Sequence, residues 1–401
     1  MLSVEAAQSI MLSNARPFTA VERVPLGEAV GRVLAEAVRA PIDVPGYDNS
    51  QMDGYAVRSM DLDAQARNRL RVSQRIAAGG VVEPLMVGTA ARIFTGAPMP
   101  PGADAVIAQE DCERDGDWVT LGPVNAGENV RPRGNDIRSG DEILDKGTIV
   151  RAQEIGVLAS LGLADVAVMK RPVVAILSNG DELRMPGEPL GYGEIYNSNR
   201  FVLQALAHGM HCEVIDCGIV GDTLAAAIDA LSAAASGADL VVSSGGMSVG
   251  EEDHIKAALE AIGSLDMWKV AVKPGKPLAY GRIGQSDFVG LPGNPVSALV
   301  TYCLFVRPFL RKRLGARQLF AEHFEVRADF EWSRAGRRRE FARARLEYSR
   351  AHGPSAVLHP RQGSDVLSST SWADGLVMIP EGRCVRAGDR VRYLPFVALL
   401  G

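Results

Sequence analysis

Residues 240–253 read Leu-Val-Val-Ser-Ser-Gly-Gly-Met-Ser-Val-Gly-Glu-Glu-Asp, and this stretch decides the fold. The apolar run Leu240–Ser243 is too short for a helix and ends in a glycine loop, Ser244–Asp253, that opens a helical pattern over 251–262. A short buried strand, a glycine turn and a helix start make one βα unit. Related units lie on both sides. Val173–Leu177 leads into Ser178-Asn179-Gly180-Asp181-Glu182-Leu183, Cys212–Cys217 is followed by Gly221-Asp222-Thr223, and Phe288–Leu291 by Pro292-Gly293-Asn294-Pro295. Trp268–Val272 runs into Lys273-Pro274-Gly275-Lys276-Pro277 and Leu278–Arg282 follows, so a hairpin is expected near 272–282. Helical spacing covers about 199–209, 223–236, 251–262 and 294–313. Strands alternating with helices predict a doubly wound sheet over residues 171–315.

The texture changes on either side of that region. Residues 3–14 read as a helix that Ser3 can cap, with Pro17 beyond its end. Residues 21–40 mix short β-like and helical pieces, and 152–161 look helical, so 1–45 with 141–170 read as an extended N-terminal helical domain. Between them, short apolar runs broken by Gly, Pro and Asp predict a small inserted β domain at 46–140. From 316 to 401 the β texture returns, as expected of a β-barrel-like C-terminal domain. The plan is a multidomain α/β plus β chain.

Composition narrows the function. The 401 residues are 47% apolar and 23% charged, ordinary for a folded protein, and 43 Lys+Arg against 48 Asp+Glu give −5. No basic field favours nucleic acid or an anionic membrane. The longest apolar runs, such as Leu299–Val306, fall far short of the roughly 20 residues a membrane span needs. Met1-Leu2-Ser3-Val4-Glu5 carries no basic residue before Arg16, unlike a secretory leader. Five scattered cysteines form no CxxC pair, which fits a reduced, cytoplasmic protein.

In open α/β sheets, ligands bind beyond the carboxyl ends of the strands. Glycine lets backbone approach a phosphate, and a helix start presents free N–H groups. Asp181, Glu182, Asp222 and Asp253 offer hard oxygens suited to Mg²⁺, and Lys273 and Lys276 offer charge to an oxyanion. One Gly-Gly turn is only a turn, and an Asp at a helix start is often only a cap. Five such loops at one predicted edge describe a cleft for a phosphate ester, a divalent cation and an oxyanion. No Cys or Ser stands beside a candidate His in these loops, so no covalent nucleophile is expected.

Read in order, seven motifs resemble the MoeA family of molybdopterin molybdenumtransferases, which includes the C-terminal domain of gephyrin. They are Asp48-Asn49-Ser50-Gln51-Met52-Asp53-Gly54-Tyr55-Ala56, Phe94-Thr95-Gly96-Ala97-Pro98 and Arg131-Pro132-Arg133-Gly134-Asn135-Asp136-Ile137, then the loops at Gly180–Leu183, Gly245–Gly250, Lys273–Pro277 and Leu291–Pro295. Gln51 stands where Ala is common, Asn179 where Thr is usual, and His254 where an aromatic is frequent.

The resemblance implies a MogA/MoaB-like α/β domain and a specific reaction. Adenylylated molybdopterin loses AMP while molybdenum passes from molybdate to the dithiolene, with Mg²⁺ as cofactor. It implies that Asp53, Asp136, Glu182, Asp222 and Asp253 serve the chemistry, with Asp222 and Asp253 as metal ligands. Thr95, Arg131, Asp181, Gly245, Gly246, Ser248, Lys273, Lys276, Pro292, Pro295, Arg343 and Ser364 are the implied substrate contacts. On residues alone, Asp53 is one carboxylate of an Asx-rich turn, and the Arg-rich run 331–350 is a solvated face. The resemblance further implies a homodimer in which one subunit's insert covers its partner's cleft, and dealings with a MogA-type adenylyltransferase and with molybdoenzyme apoproteins. Two other classes compete: a non-catalytic pterin- or nucleotide-binding scaffold, and a MogA-type adenylyltransferase, against which the segments before 150 and after 315 argue.

Overall fold

A computed structural model describes residues 1–246, 254–350 and 353–400. At its centre lies a six-stranded sheet in the order 213–220, 173–179, 240–244, 286–291, 279–283, 264–268. The first four strands are parallel. Strand 279–283 runs against them, and 264–268 runs against 279–283, so it points the same way as the parallel four. Five carboxyl ends therefore meet at one edge. The central strands are apolar on both faces because both faces are covered. Val174, Ile176, Val242 and Val289 face Leu203, Val300, Phe305 and Phe309 on one side. Ala175, Leu177, Val241 and Phe288 face Leu231, Ile255 and Leu259 on the other.

Two expectations for this region change. The hairpin lies at 279–291, where 279–283 pairs with 286–291. The expected strand Trp268–Val272 is divided: 264–268 stays in the central sheet, while Val272–Lys273 pairs with Arg339–Glu340 of the C-terminal sheet. Pro274 and Pro277 lack N–H donors and cannot extend a ladder, which ends the excursion.

The expected extended N-terminal helical domain is not there. Helix Val4–Asn14, capped by the Ser3 hydroxyl accepting from Ala6 N–H at 3.1 Å, sends Val4, Ala7 and Met11 into the α/β core instead. Residues 21–45 and 141–170 form antiparallel pairs, 21–25 with 165–169 and 38–39 with 142–144, beside the helix Ala152–Ser160. Val24, Leu34, Val150, Leu158, Val166 and Val168 make their small core. These ladders join segments far apart in the chain, so local spacing could not reveal them.

Residues 54–121 build a second six-stranded sheet, ordered 105–108, 54–57, 89–93, 68–76, 118–121, 113–115. The chain enters and leaves this region side by side. Asn49–Ser50 pairs with Val130–Arg131, and Val44 bridges to Ile137. Asp43 accepts from Ser139 N–H at 2.7 Å and pairs with Arg133. At the C-terminus, strands 339–349, 353–358, 324–328, 390–395 and 375–379 close into a five-stranded barrel, because 375–379 pairs back to 339–349. Alternate residues Ala342 and Ala344, with Val326, Val377 and Tyr393, fill it. Among the described residues, no helix is long and apolar enough to cross a membrane.

Candidate functional site

The carboxyl edge of the central sheet opens onto a cleft of about 900 Å³. Ser244-Gly245-Gly246 and Gly293-Asn294-Pro295 line it together with Asn179, Gly180 and Glu182, with Tyr196–Asn199, and with Asp222. Asp365 and Leu367 reach it from the C-terminal segment.

The two consecutive glycines are there for steric reasons. Gly245 and Gly246 have φ of +89° and +63°. A Cβ on Gly245 would lie 2.3 Å from the Asn179 carbonyl oxygen, and one on Gly246 would lie 2.6 Å from Ile255 Cγ1. Only glycine fits both the conformation and the space. The loop is tied to its neighbour by Gly245 N–H donating to the Leu291 carbonyl at 3.3 Å. Pro295 takes the first position of the helix Pro295–Thr301, where its missing N–H costs nothing.

Asp222 is not the cap of its helix. The Thr223 hydroxyl accepts from Ala226 N–H at 3.2 Å and does that work. Asp222 N–H instead donates to Asp181 Oδ1 at 3.4 Å, while Asp222 Oδ1 is buried with no hydrogen-bond partner among the described residues. A buried carboxylate oxygen without a donor is costly and suits a cation. Among the described residues no group of three ligating side chains gathers.

Of the residues expected at the site, Glu182, Asp222, Gly245, Gly246 and Pro295 line the cleft, and Asp181 adjoins through Asp222. Ser248 and Asp253 lie outside the described residues. Lys273 Nζ pairs with the buried Glu340 carboxylate at 3.0 Å, because residues 272–273 lie along the C-terminal barrel. Lys276 is exposed, and neither lysine lines the cleft although Pro277 does. Pro292 is buried beneath it.

Arg343 is 1% exposed and its guanidinium is already engaged. Nε donates to Ser369 Oγ at 3.0 Å, and Nη2 donates to the Gly363 carbonyl at 2.8 Å and to the Arg361 carbonyl at 3.4 Å. Burial pulls its pKa down to about 10, with the Asp365 charge opposing. It braces the loop carrying Ser364, whose carbonyl accepts from Val296 N–H at 3.1 Å. Arg343 does not line the cleft itself, and neither does Ser364.

Asp53, Thr95, Arg131 and Asp136 do not line this cleft within one chain. Two of them meet: Asp53 Oδ1 accepts from Thr95 N–H at 2.8 Å and Thr95 Oγ1 at 2.7 Å, which hold its carboxyl below the usual range. Arg131 pairs in register with Asn49, and Asp136 N–H donates to the Val44 carbonyl at 3.0 Å. Sequence reasoning missed Tyr196, Asn197, Asn199 and Asp365. Asn197 had a readable signal, an Asn ahead of a helical run; it caps Ser198–Gly209 by accepting from Arg200 N–H at 3.2 Å.

Comparison with known proteins agrees along the chain. Residues 2–162 match the MoeA N-terminal region (domain I and II), 175–312 a probable molybdopterin binding domain, and 325–396 the MoeA C-terminal region (domain IV). A molybdopterin molybdenumtransferase of Haemophilus influenzae is 41% identical over 407 aligned positions, covering 100% of both chains. Molybdopterin molybdenumtransferase 2 of Mycobacterium tuberculosis is 37% identical over 95% of this chain and 96% of its own. The crystal structure of the molybdopterin biosynthesis MoeA protein from Pyrococcus horikoshii OT3 superposes with a TM-score of 0.86 at 30% identity, over 98% of this chain and 100% of that one. With the fold, the glycine loops and full-length relatives in agreement, the chain belongs to the MoeA family of molybdopterin molybdenumtransferases.

Proposed function

We propose that this protein is a molybdopterin molybdenumtransferase acting in molybdenum cofactor biosynthesis. It takes adenylylated molybdopterin and molybdate, cleaves the phosphoanhydride and releases AMP as molybdenum enters the dithiolene. The observation that carries this reading is the cleft itself, where a glycine-built floor meets a buried Asp222 carboxylate oxygen that has no hydrogen-bond partner among the described residues. The Gly246 backbone binds and orients phosphate, while the Asn179 backbone against Gly245 and the Ile255 side chain against Gly246 fix the loop. Asp222 and Asp181 would hold Mg²⁺, which when bound neutralises charge on the leaving phosphate. The protein supplies no thiol for the attack. No cysteine lines the cleft, and burial pushes Cys212 and Cys303 up to about 12. Water or a molybdate oxygen is the attacking group.

The direct test is incubation with adenylylated molybdopterin, molybdate and Mg²⁺. AMP release together with activation of a molybdoenzyme apoprotein is expected; a protein that binds substrate but releases no AMP sinks the reading. Asp222→Asn should fold normally and raise the Mg²⁺ concentration for half-maximal AMP release by about 10-fold or more, one charge-assisted contact being worth about 1.5–3 kcal/mol. A metal titration that overlays the wild type would remove Asp222 from the metal.

The oxyanion part of the reading now rests on Lys276. Lys276→Ala should raise the molybdate needed for half-maximal turnover by roughly 10-fold or more, the worth of one charge-assisted bond. Lys273→Ala should change it far less, because that ammonium is already neutralised by Glu340. Equal effects in the two variants would return both lysines to the oxyanion.

We read the working form as a homodimer in which Asp53, Thr95, Arg131 and Asp136 of one subunit complete the other's cleft. What supports this is that these four lie away from the cleft of their own chain. Light scattering that gives a monomer at working concentrations would refute it. A cytoplasmic setting, with a MogA-type adenylyltransferase supplying substrate, belongs to the same proposal.

A further inference from the structure

The floor of the cleft is made of two loops from neighbouring strands, and one side chain joins them. Asn199, the second residue of helix Ser198–Gly209, is 8% exposed. Its Nδ2 donates to Ser244 Oγ at 2.8 Å and to the Gly293 carbonyl at 2.7 Å. A carbonyl can only accept, which fixes the orientation of the amide. A second polar tie between the loops, Gly245 N–H to the Leu291 carbonyl, is longer at 3.3 Å. The loops also touch closely, since a Cβ on Gly293 would lie 3.7 Å from Gly245 Cα.

The start of this helix is anchored to a third strand as well. Asn197 Oδ1 accepts from Ser178 Oγ at 3.3 Å. One helix start is thus bonded to the ends of strands 173–179, 240–244 and 286–291, which are adjacent in the sheet.

We infer that Asn199 is a positioning residue for the transfer reaction. It sets the separation of the Ser244–Gly246 and Pro292–Pro295 loops, and so the width of the cleft floor that the phosphates of the substrate meet. The inference rests on the transferase reading only through its probe, AMP, the nucleotide that reaction releases.

The experiment compares wild type, Asn199→Ala, Ser244→Ala and the double variant by AMP titration, AMP-release kinetics and thermal unfolding. Asn199→Ala should weaken AMP binding and raise KM by about 10-fold, the worth of one or two neutral hydrogen bonds, while kcat changes little. Ser244→Ala should show a smaller effect in the same direction. The double variant should be no worse than Asn199→Ala alone, because both changes cut the same link. A merely structural asparagine would lower the melting temperature and leave AMP affinity of the folded protein untouched. AMP affinity within twofold of wild type in folded Asn199→Ala overturns the inference, and so do effects that multiply in the double variant. If Asn199→Ala does not fold, unchanged affinity in Ser244→Ala overturns it alone. A wild type that binds AMP but releases none defeats the transferase reading while AMP affinity still decides this one; a wild type that does not bind AMP defeats both.

Discussion

Gly245→Ala should reduce AMP release at least about 100-fold, an effect of roughly 2.7 kcal/mol. At φ +89° an L-residue carries strain of about 1–2 kcal/mol. Steric contact costs more than this strain. The added methyl would sit 2.3 Å from the Asn179 carbonyl oxygen, on backbone held between strands 213–220 and 240–244. That backbone cannot retreat, so the loop must move, losing the Gly245 N–H bond to Leu291 and misplacing the floor of the cleft. Gly79→Ala is the control. Its φ is +76° and nothing lies within 4 Å of the new methyl, so it should cost only the backbone strain and leave turnover unchanged. AMP release and melting curves on both variants check this; near-wild-type turnover in Gly245→Ala would show that the loop has no fixed role.

The second large effect concerns stability. Asp287 is fully buried, with Arg282 at 3.3 Å, the Tyr280 hydroxyl donating to it at 3.1 Å, and Arg313 3.0 Å from Oδ2 without the alignment of a hydrogen bond. Burial first, then the Asp287 charge, raise the Tyr280 phenol above its usual range, so it stays a donor. Asp287→Ala would leave the nearly buried Arg313 without its countercharge, and removing one member of a buried pair costs about 3–5 kcal/mol. Arg313 also donates from Nε to the Arg16 carbonyl at 3.0 Å and stacks 4.0 Å over Phe18, so the N-terminal segment should loosen with it. Urea unfolding should show the loss; a change under about 1 kcal/mol would mean the pair is relieved by solvent. Asp287→Asn, which keeps an acceptor for Tyr280, should fall between.

The central sheet was legible because its strands are local apolar runs punctuated by glycine loops, and both signals survive in a single sequence. The capping of the first helix by Ser3 was legible for the same reason. What failed depended on distant partners. Residues 21–25 look like fragments until 165–169 are laid beside them. Lys273 looked free because Glu340 is close only in space. The arginine-rich run read as a solvated face, yet Arg339 bridges Glu5 and Glu381 and Arg343 is buried. At the cleft, the glycines and Asp222 carried recognisable chemistry. Asn199 carried none, since an amide near the start of a helix gives no hint that it reaches two other strand ends.

The paired entry and exit of residues 46–136 have an evolutionary meaning. Val44 bridging Ile137, with Asp43 clasping Arg133 and Ser139, makes a stem from which that stretch hangs as a cassette. Among the described residues, none of those packed on either face of the central sheet or inside the C-terminal barrel comes from the cassette. Its own core can therefore change without disturbing the cores that hold the cleft together. Selection can tune the packing of the cassette separately from that of the framework around the cleft.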